Sequence, residues 1–449
     1  MTQQKETQQK QIQHQQAPTL PPVRLTPSSV CEAPDLWAMR YGTTSARALY
    51  LHVPFCAQKC RYCDFTSYAT RESDPLMRRY VMMLQHQIDH LGGIKLLEEC
   101  STIYVGGGTP SMLGPWLGWL CETATRWCDA REVTCEANPE SLTPEMLDVM
   151  VHNGVTRVSM GVQSLVDEEL EALGRIHDAD RAREAVSLAM GAGLDVSVDL
   201  MCGIPLQTEE SWRETLAGVL ELGVDHVSVY PLQLEEGTPL ERLVDEGHLA
   251  VPDDDEAARM MEIASDVLGA AGLARYEVAS YARGAGCLHN RAYWTGQPYL
   301  GLGTSAASML TRQGYERLRW AAPQLPEMPS DAVRARLVCR SGRGELVYYD
   351  SRFTGAMGEV RYEVEFLSHR QALAEDLMLG MRMSEGASPA LIELSRETIG
   401  AAEVDAAIDE AVSLGLARMT ADGSLTPTHD GWLRGNELYG LLWDLVSSG

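Results

Sequence analysis

The chain has 449 residues, of which 45% are hydrophobic and 22% charged, an ordinary balance for a globular protein. Its formal charge of −26 sets it against polyanions, so nucleic acid and anionic membrane surfaces are not expected partners. No apolar run reaches the length of about eighteen residues that a transmembrane helix needs.

The N-terminus, MTQQKETQQKQIQHQQ, is polar and glutamine-rich. It lacks the basic flank and apolar core of a signal peptide, and residues 1–45 are expected to form a disordered tail. Eleven cysteines without a secretory signal point to reduced thiols and a cytoplasmic location. Eight of them are scattered and read as small buried hydrophobes.

From residue 48 the chain has a rhythm. Short β-rich runs recur as ALYLHV (48–53), TIYVGG (102–107), EVTCEA (132–137), RVSMGV (157–162), DVSVDLM (195–201) and HVSVYPL (226–232). Between them lie helical stretches such as 75–91, 143–154, 178–193 and 209–223, with apolar residues at three- and four-residue spacing. Several open on a good N-cap and close on glycine: Thr143 to Gly154, Asp178 to Gly191, Thr208 to Gly223. Such alternation predicts right-handed βαβ units, and six repeats without dinucleotide-binding glycines suggest a partial barrel. Functional groups then belong on the loops after the strands. The acidic run at 253–256 reads as a solvated turn leading into a helix.

Polar and glycine-rich features collect on that one rim. Cys56, Cys60 and Cys63 follow the first strand with spacing C-x3-C-x2-C. GGGTP (106–110) follows the second, Glu136-Ala-Asn-Pro ends the third, Gln163 follows the fourth and Asp199 ends the fifth. Three close cysteines bind zinc or an iron–sulfur cluster. The zinc reading takes His52 as fourth ligand, but no second cysteine knuckle is present, and a strand at 48–53 turns His52 away from the loop. A cubane held by three thiolates keeps one iron open to bind and activate a small molecule.

C-x3-C-x2-C with Tyr62 before the last cysteine resembles the radical S-adenosylmethionine (SAM) superfamily. That resemblance implies a [4Fe–4S] cluster whose open iron chelates SAM, and a partial (β/α)6 TIM-like barrel. YLHVPFCxxxCxYCDF, YVGGGTPSML, CEANPESLT, GVQSLVDEELEALGRIH and VDLMCGIPLQT are similar to the oxygen-independent coproporphyrinogen III oxidase family over roughly residues 47–440. Position by position this implies SAM-binding roles for Tyr50, Tyr62, Gly107, Gly108, Thr109, Glu136, Gln163, Arg175 and Asp199. Arg175 and Asp199 also read as simple rim ion-pair partners. The GGG glycines are expected to let backbone polar groups approach the methionine end of SAM.

Within that family the decarboxylating oxidase carries a further cysteine where this chain has Phe65. The Cys63-Asp64-Phe65 variant resembles the haem chaperone (HemW-like) branch, as does His289-Asn290-Arg291-Ala292-Tyr293-Trp294, the HNxxYW motif. The branch implies haem binding there, with His289 as axial ligand, Asn290 as a hydrogen-bonding neighbour, Tyr293 and Trp294 as flat faces, and Cys287 as an alternative ligand. One departure stands out: GLGTSAAS (301–308) replaces the family's GxGxGAHS, with Ser305 for glycine and Ala307 for histidine.

Residues 46–310 are thus expected to form the barrel, and 311–449 a small, mostly helical, winged-helix-like accessory domain. The acidic balance argues against DNA binding by that domain, which reads as a lid or substrate-side element. Three functions compete: a haem chaperone serving apo-proteins and drawing on an electron donor, a tetrapyrrole-modifying radical enzyme, and a zinc-stabilised barrel. The retained core leaves enzyme activity open. Phe65 and HNxxYW favour the chaperone over a coproporphyrinogen dehydrogenase.

Overall fold

The computed structural model describes residues 42–340 and 357–447, so the expected tail lies outside the described residues up to residue 41. Strands and helices alternate as β1 Ala48–Val53, α1 Pro75–Gly93, β2 Thr102–Gly107, α2 Pro115–Trp127, β3 Glu132–Ala137, α3 Pro144–His152, β4 Arg157–Gln163, α4 Asp167–Leu173, α5 Ala179–Gly191, β5 Asp195–Cys202, α6 Glu209–Glu221 and β6 His226–Pro231. Neighbouring strands from β1 to β6 all pair in parallel. The expected caps form: Thr143, Asp178 and Thr208 each accept a backbone N–H of the first turn. Asp253 and Glu256 make a capping box at the start of the helix Asp254–Ala270, which is what the acidic run is for.

The six parallel strands share one rule. Leu49, Leu51, Ile103, Val105, Val133, Cys135, Val158, Met160, Val196, Val198, Val227 and Val229 face the helices and are buried in the main core. The alternate positions are polar and turn to the concave side: Tyr50, Thr102, Tyr104, Glu132, Thr134, Glu136, Arg157, Ser159, Ser197, Asp199, His226 and Ser228. There they bond across strands, Tyr104 to Glu136, Ser159 to Asp199 and Ser197 to His226. The concave side is therefore a polar lumen and not the stack of branched apolar side chains that fills most such barrels.

Further strands widen the sheet. They are β7 Ala274–Arg275, β8 Ser280–Ala282, β9 Tyr299–Leu302, β10 Ala307–Thr311, β11 Ala332–Cys339 and β12 Tyr362–Ser368. The order is β12-β11-β10-β9-β1-β2-β3-β4-β5-β6-β8-β7, twelve strands in one open sheet. β9 runs parallel to β1, and β10, β11 and β12 add antiparallel strands beyond it. The expected boundary at 310/311 falls inside β10, because the free edge of β1 is covered by chain that follows the barrel. Backbone hydrogen bonding carries the sheet on to Ser368.

A second core begins at the far edge. α11 His369–Gly380, α12 Pro389–Ser395 and α13 Ala401–Ser413 precede the hairpin of β13 Ala417–Met419 and β14 Leu425–Pro427, and α14 His429–Leu433 and α15 Gly435–Trp443 close it. Leu373, Leu377, Val404, Ile408, Leu438 and Leu442 pack together there. This is the helical domain with a short hairpin that the sequence leads one to expect. Arg334 of β11, 2% exposed, donates to Glu375 at 2.7 Å and to Asp376 at 2.8 Å on α11, fixing the domain to the sheet. Loss of one partner of such a buried group leaves an uncompensated charge.

Ser305 stands where the family resemblance expects glycine, and its φ is +58°. The backbone has kept the glycine conformation while the residue has changed, and a β-carbon there costs on the order of 1 kcal/mol. Ser305→Gly should raise the free energy of unfolding by about that amount, read as a higher midpoint of chemical unfolding at an unchanged slope; an unchanged or lower midpoint would show that the strain is absorbed elsewhere.

Candidate functional site

The loop after β1 is held on both sides. Phe55–Cys56 pairs in parallel with Tyr68–Ala69, and the Thr70 N–H donates to the Cys56 carbonyl at 2.8 Å. Farther along, the Arg61 N–H donates to Leu173 O at 3.0 Å, and the Leu240 N–H donates to Arg61 O at 2.9 Å. Tyr62 packs against Leu173, Met201, Ile204 and Leu240. Cys56 is buried, and Cys60 and Cys63 are half-buried. The other seven described cysteines are all buried, as the scattered-thiol reading expects, and Cys31 lies outside the described residues.

The three cysteines open onto a cavity of about 420 Å³ at the C-terminal ends of the strands. It is lined by Tyr62, Gly107, Gly108, Thr109, Glu136, Gln163, Arg175 and Asp199, so eight of the nine residues named for SAM meet there. Tyr50 does not line it. Its hydroxyl bonds to His52 Nδ1 at 3.0 Å, and its ring stands 6.1 Å from that of Tyr104, one layer below.

His52 settles the competing ligand set. Its Nε2 bonds to Thr66 O at 2.8 Å, and its ring lies over Gly107. Both nitrogens are engaged away from the cysteines. Among the described residues no three His, Cys, Asp or Glu side chains converge on a position that would hold one metal ion. The three thiols, with no fourth His, Cys, Asp or Glu beside them to complete a zinc site among the described residues, line one cavity.

The GGG segment has a packing reason beside the one expected. A β-carbon at Gly106 would meet Glu136 Oε1 at 2.8 Å, at Gly107 the His52 ring at 2.4 Å, and at Gly108 the Phe55 carbonyl at 2.6 Å. The Gly108 N–H donates to Val53 O at 2.8 Å, and the Thr109 N–H donates to Phe55 O at 2.7 Å. These glycines let the second strand's loop lie directly on the cysteine loop. Gly107 and Gly108 also line the cavity, so their backbone is open to a ligand there.

Two carboxylates stand in the cavity. Glu136 accepts from the Gly107 N–H at 2.8 Å and the Tyr104 hydroxyl at 2.9 Å. Burial pushes its carboxyl up to about 7 against those two donors, with help from the Asp199 charge. Asp199 accepts from Ser159 Oγ at 2.9 Å, and burial raises it too, against that bond and the charge of Arg157. Arg175 donates to Asn138 Oδ1 and Gly161 O, each at 2.7 Å, and to Cys60 Sγ at 3.3 Å. It does not pair with Asp199, so the plain ion-pair reading of those two falls away. Gln163 sits at a bulge between β4 and β5 with φ +68°, a strained conformation that turns its side chain to the cavity.

Tyr104, Asn138, Ser159 and Tyr230 also line the cavity and escaped notice in the sequence. Tyr104 and Ser159 had a signal: each is the polar residue of an alternating strand, on the same face as Glu136 and Asp199.

HNxxYW lies elsewhere. It forms α9 Leu288–Trp294, between β8 and β9, at the opposite end of the lumen. Glu132, the first residue of β3, accepts from the Leu288 N–H at 2.9 Å, the His289 N–H at 3.0 Å and Cys287 Sγ at 3.3 Å. His289 is 2% exposed, and its Nδ1 bonds to Thr102 Oγ1 at 2.9 Å. Burial, then the charge of Arg157, lowers its imidazole to about 3. Its ring lies 5.1 Å from both Tyr104 and Tyr293, and Tyr293 stands 4.1 Å from Tyr299. Asn290 is half-buried, and Trp294 Nε1 donates to Glu277 Oε2 at 3.1 Å. His289 Nε2 is buried without a partner, the kind of atom a metal would take, but the rings of Tyr104 and Tyr293 close round the imidazole. As they stand, these residues do not fit a macrocycle. Cys287 is 1% exposed and bonded to Glu132, so it offers no open ligand either.

Residues 50–217 match the model of the radical SAM superfamily. The heme chaperone HemW of Mycobacterium tuberculosis (strain ATCC 25618 / H37Rv) is 40% identical over 267 residues, covering 58% of this chain and 68% of that protein. The chain belongs to the HemW family. HemW of Escherichia coli (strain K12) is 38% identical over 271 residues, covering 59% of this chain and 70% of its own. The radical S-adenosyl methionine domain-containing protein 1, mitochondrial, of Danio rerio is 35% identical over 347 residues, covering 76% and 73%. Coproporphyrinogen III oxidase (HemN) from Escherichia coli, described as a radical SAM enzyme, superposes with a TM-score of 0.71 at 20% identity over 91% of this chain and 92% of that one. That likeness shows the fold, an α/β radical SAM barrel with a helical C-terminal region. The radical SAM domain implies a [4Fe–4S] cluster and SAM, and three thiols beside a polar cavity fit both.

Gly108→Ala tests the contact that holds the loop. Its β-carbon displaces Phe55 and with it Cys56. Iron and sulfide per chain after anaerobic reconstitution should fall well below wild type, whereas Gly93→Ala, with nothing within 4 Å, should load normally.

Proposed function

We propose that this chain is a radical SAM haem chaperone: it binds haem and passes it to apo-proteins. The observation that carries this reading is its 40% identity to a protein named as a heme chaperone, over 68% of that protein's length. Phe65 adds support. It is 69% exposed at the cavity's mouth, where the oxidase branch would carry another thiol.

In this reading Cys56, Cys60 and Cys63 would hold the cluster. When bound, such a cluster would supply an electron to SAM held in the cavity. Thr109, Gln163, Glu136 and Asp199 bind the polar parts of SAM, and Gly107 and Gly108 seat the loop that carries Thr109. Arg175 holds the cluster loop through Cys60 and the rim through Asn138. Tyr62 anchors the same loop in its apolar pocket, and Tyr50 supports Tyr104 from beneath. Ligation of haem by His289, Asn290, Tyr293 and Trp294 requires α9 to leave the barrel floor, so no haem bond is assigned to the closed form.

We assign cofactor binding to residues 46–310 and a lid or substrate-side role to 311–449. The partners are haem, haem-accepting apo-proteins and an electron donor. No described helix is long and apolar enough to cross a membrane. Cysteines held as thiols suit a reducing, cytoplasmic setting.

An anaerobic haem titration of the reconstituted protein, followed by absorbance, should saturate at a single haem per chain with a Soret shift. No saturable binding would overturn the chaperone reading. Protoporphyrinogen formed from coproporphyrinogen III with SAM under reducing conditions would replace it with the oxidase.

The two carboxylates set a pH dependence. An ionised Glu136 is the stronger acceptor and attracts the positive charge of SAM, and burial places its carboxyl at about 7. SAM affinity should be full above that value and fall as pH drops through it, by up to about tenfold per unit. Glu136→Gln should flatten that limb; an unchanged profile in the variant would show that Glu136 is not the titrating group.

A further inference from the structure

HNxxYW is the floor of the barrel, and His289 reaches the cavity through one intermediate. Thr102 Oγ1 fixes the imidazole through Nδ1 at 2.9 Å. The imidazole face supports the Tyr104 ring at 5.1 Å, tilted by 34°. Tyr104 gives its hydroxyl to Glu136 Oε1 at 2.9 Å, and the other oxygen of Glu136 holds the Gly107 N–H at 2.8 Å. Three elements are thus linked in series, from α9 through β2 to β3 and back to the end of β2 at Gly107. The rest of α9 is anchored from outside: Arg291 donates twice to Glu385 at 3.1 Å, and the Arg382 guanidinium lies 5.0 Å over Trp294 and 4.7 Å over Tyr439 of α15.

We propose that His289 is a positioning residue for SAM binding: by supporting Tyr104 it holds the Glu136 carboxylate in the orientation that receives the ligand. The proposal rests on the reading of the cavity as the SAM site. The ring contact of His289 with a lining residue of the cavity is the one to Tyr104, and it acts through that ring. Glu132 and Thr102 set α9 in place for the same purpose, and the C-terminal domain holds it there through Trp294 and Arg291. The motif earns its place in this structure without a ligand on the imidazole.

The test uses full-length, cluster-reconstituted protein with SAM as the probe. SAM dissociation constants are measured for wild type, Tyr104→Phe, His289→Ala, His289→Asn and the double variant Tyr104→Phe/His289→Ala. Tyr104→Phe and His289→Ala should each weaken SAM roughly three- to tenfold, the effect of one lost hydrogen bond. The double variant should be no weaker than the worse single one, because both changes cut the same chain. His289→Asn, whose amide occupies the Nδ1 position, should recover part of the loss. At saturating SAM the electron paramagnetic resonance signal of the reduced cluster should match wild type in every variant, which a general loosening of the fold would not allow. Wild-type affinity in His289→Ala, or additive losses in the double variant, would overturn the proposal. Failure of the wild type to bind SAM would instead sink the reading of the cavity.

Discussion

The structure depends on the two-sidedness of six short strands. One face of each is apolar and buried under helices, and the other is polar and faces a lumen. Burial of the apolar face supplies the main driving force for the barrel. The polar face then has to find partners inside, because an unpaired polar group removed from water costs on the order of 1–3 kcal/mol. It finds them in the neighbouring strands: Ser159 with Asp199, Ser197 with His226, Tyr104 with Glu136. Such a lumen stays open enough at its upper end to admit a polar cofactor, and an apolar filling would not. The same constraint explains why the floor needs a plug with hydrogen-bonding edges, and α9 provides one.

The cysteine loop is the second consequence. A loop of this length with three thiols has little structure of its own. Here it is clamped by the GGG segment, by Tyr62 in its apolar pocket and by Arg175 against Cys60. Each clamp comes from the end of a different βα unit. The position of the thiols is therefore a property of the assembled barrel, and the glycines serve that assembly first. Arg175 has the chemistry to pair with a carboxylate, yet its bonds go to Asn138, Gly161 and Cys60, which fixes one cysteine and one rim loop together.

The C-terminal region extends this logic outward. β9 covers the open edge of β1, and β10 to β12 lead the sheet to a second core. Arg334 ties that core to β11, and Arg382 ties α9 to α15. Chain that follows the barrel in sequence thus covers both its edge and its floor. A break drawn where the βα rhythm stops separates segments that share one sheet.

Much of this was legible in the residues. The βα rhythm, the caps at Thr143, Asp178 and Thr208, the parallel partial barrel and the collection of functional groups on one rim follow from local periodicity and from where strand ends must lie. Local chemistry also marked the cysteines as ligands of a cluster. What the residues left open needed the third dimension. Nothing in the string said that His52 spends both nitrogens within its own neighbourhood, that the glycines pack against the cysteine loop, or that Tyr104 and Asn138 join the cavity. Each depends on which strands are neighbours and on register, and these are set by long-range packing. HNxxYW is the clearest case. As a string it offers an imidazole and two flat rings to a macrocycle; the fold puts that imidazole 2% exposed beneath Tyr104, with one nitrogen on Thr102. Sequence by itself determined the class of chemistry, because ligand types and spacing are local. Tertiary structure decided which groups share a cavity and which hold it in shape, because burial and partnership belong to the whole chain.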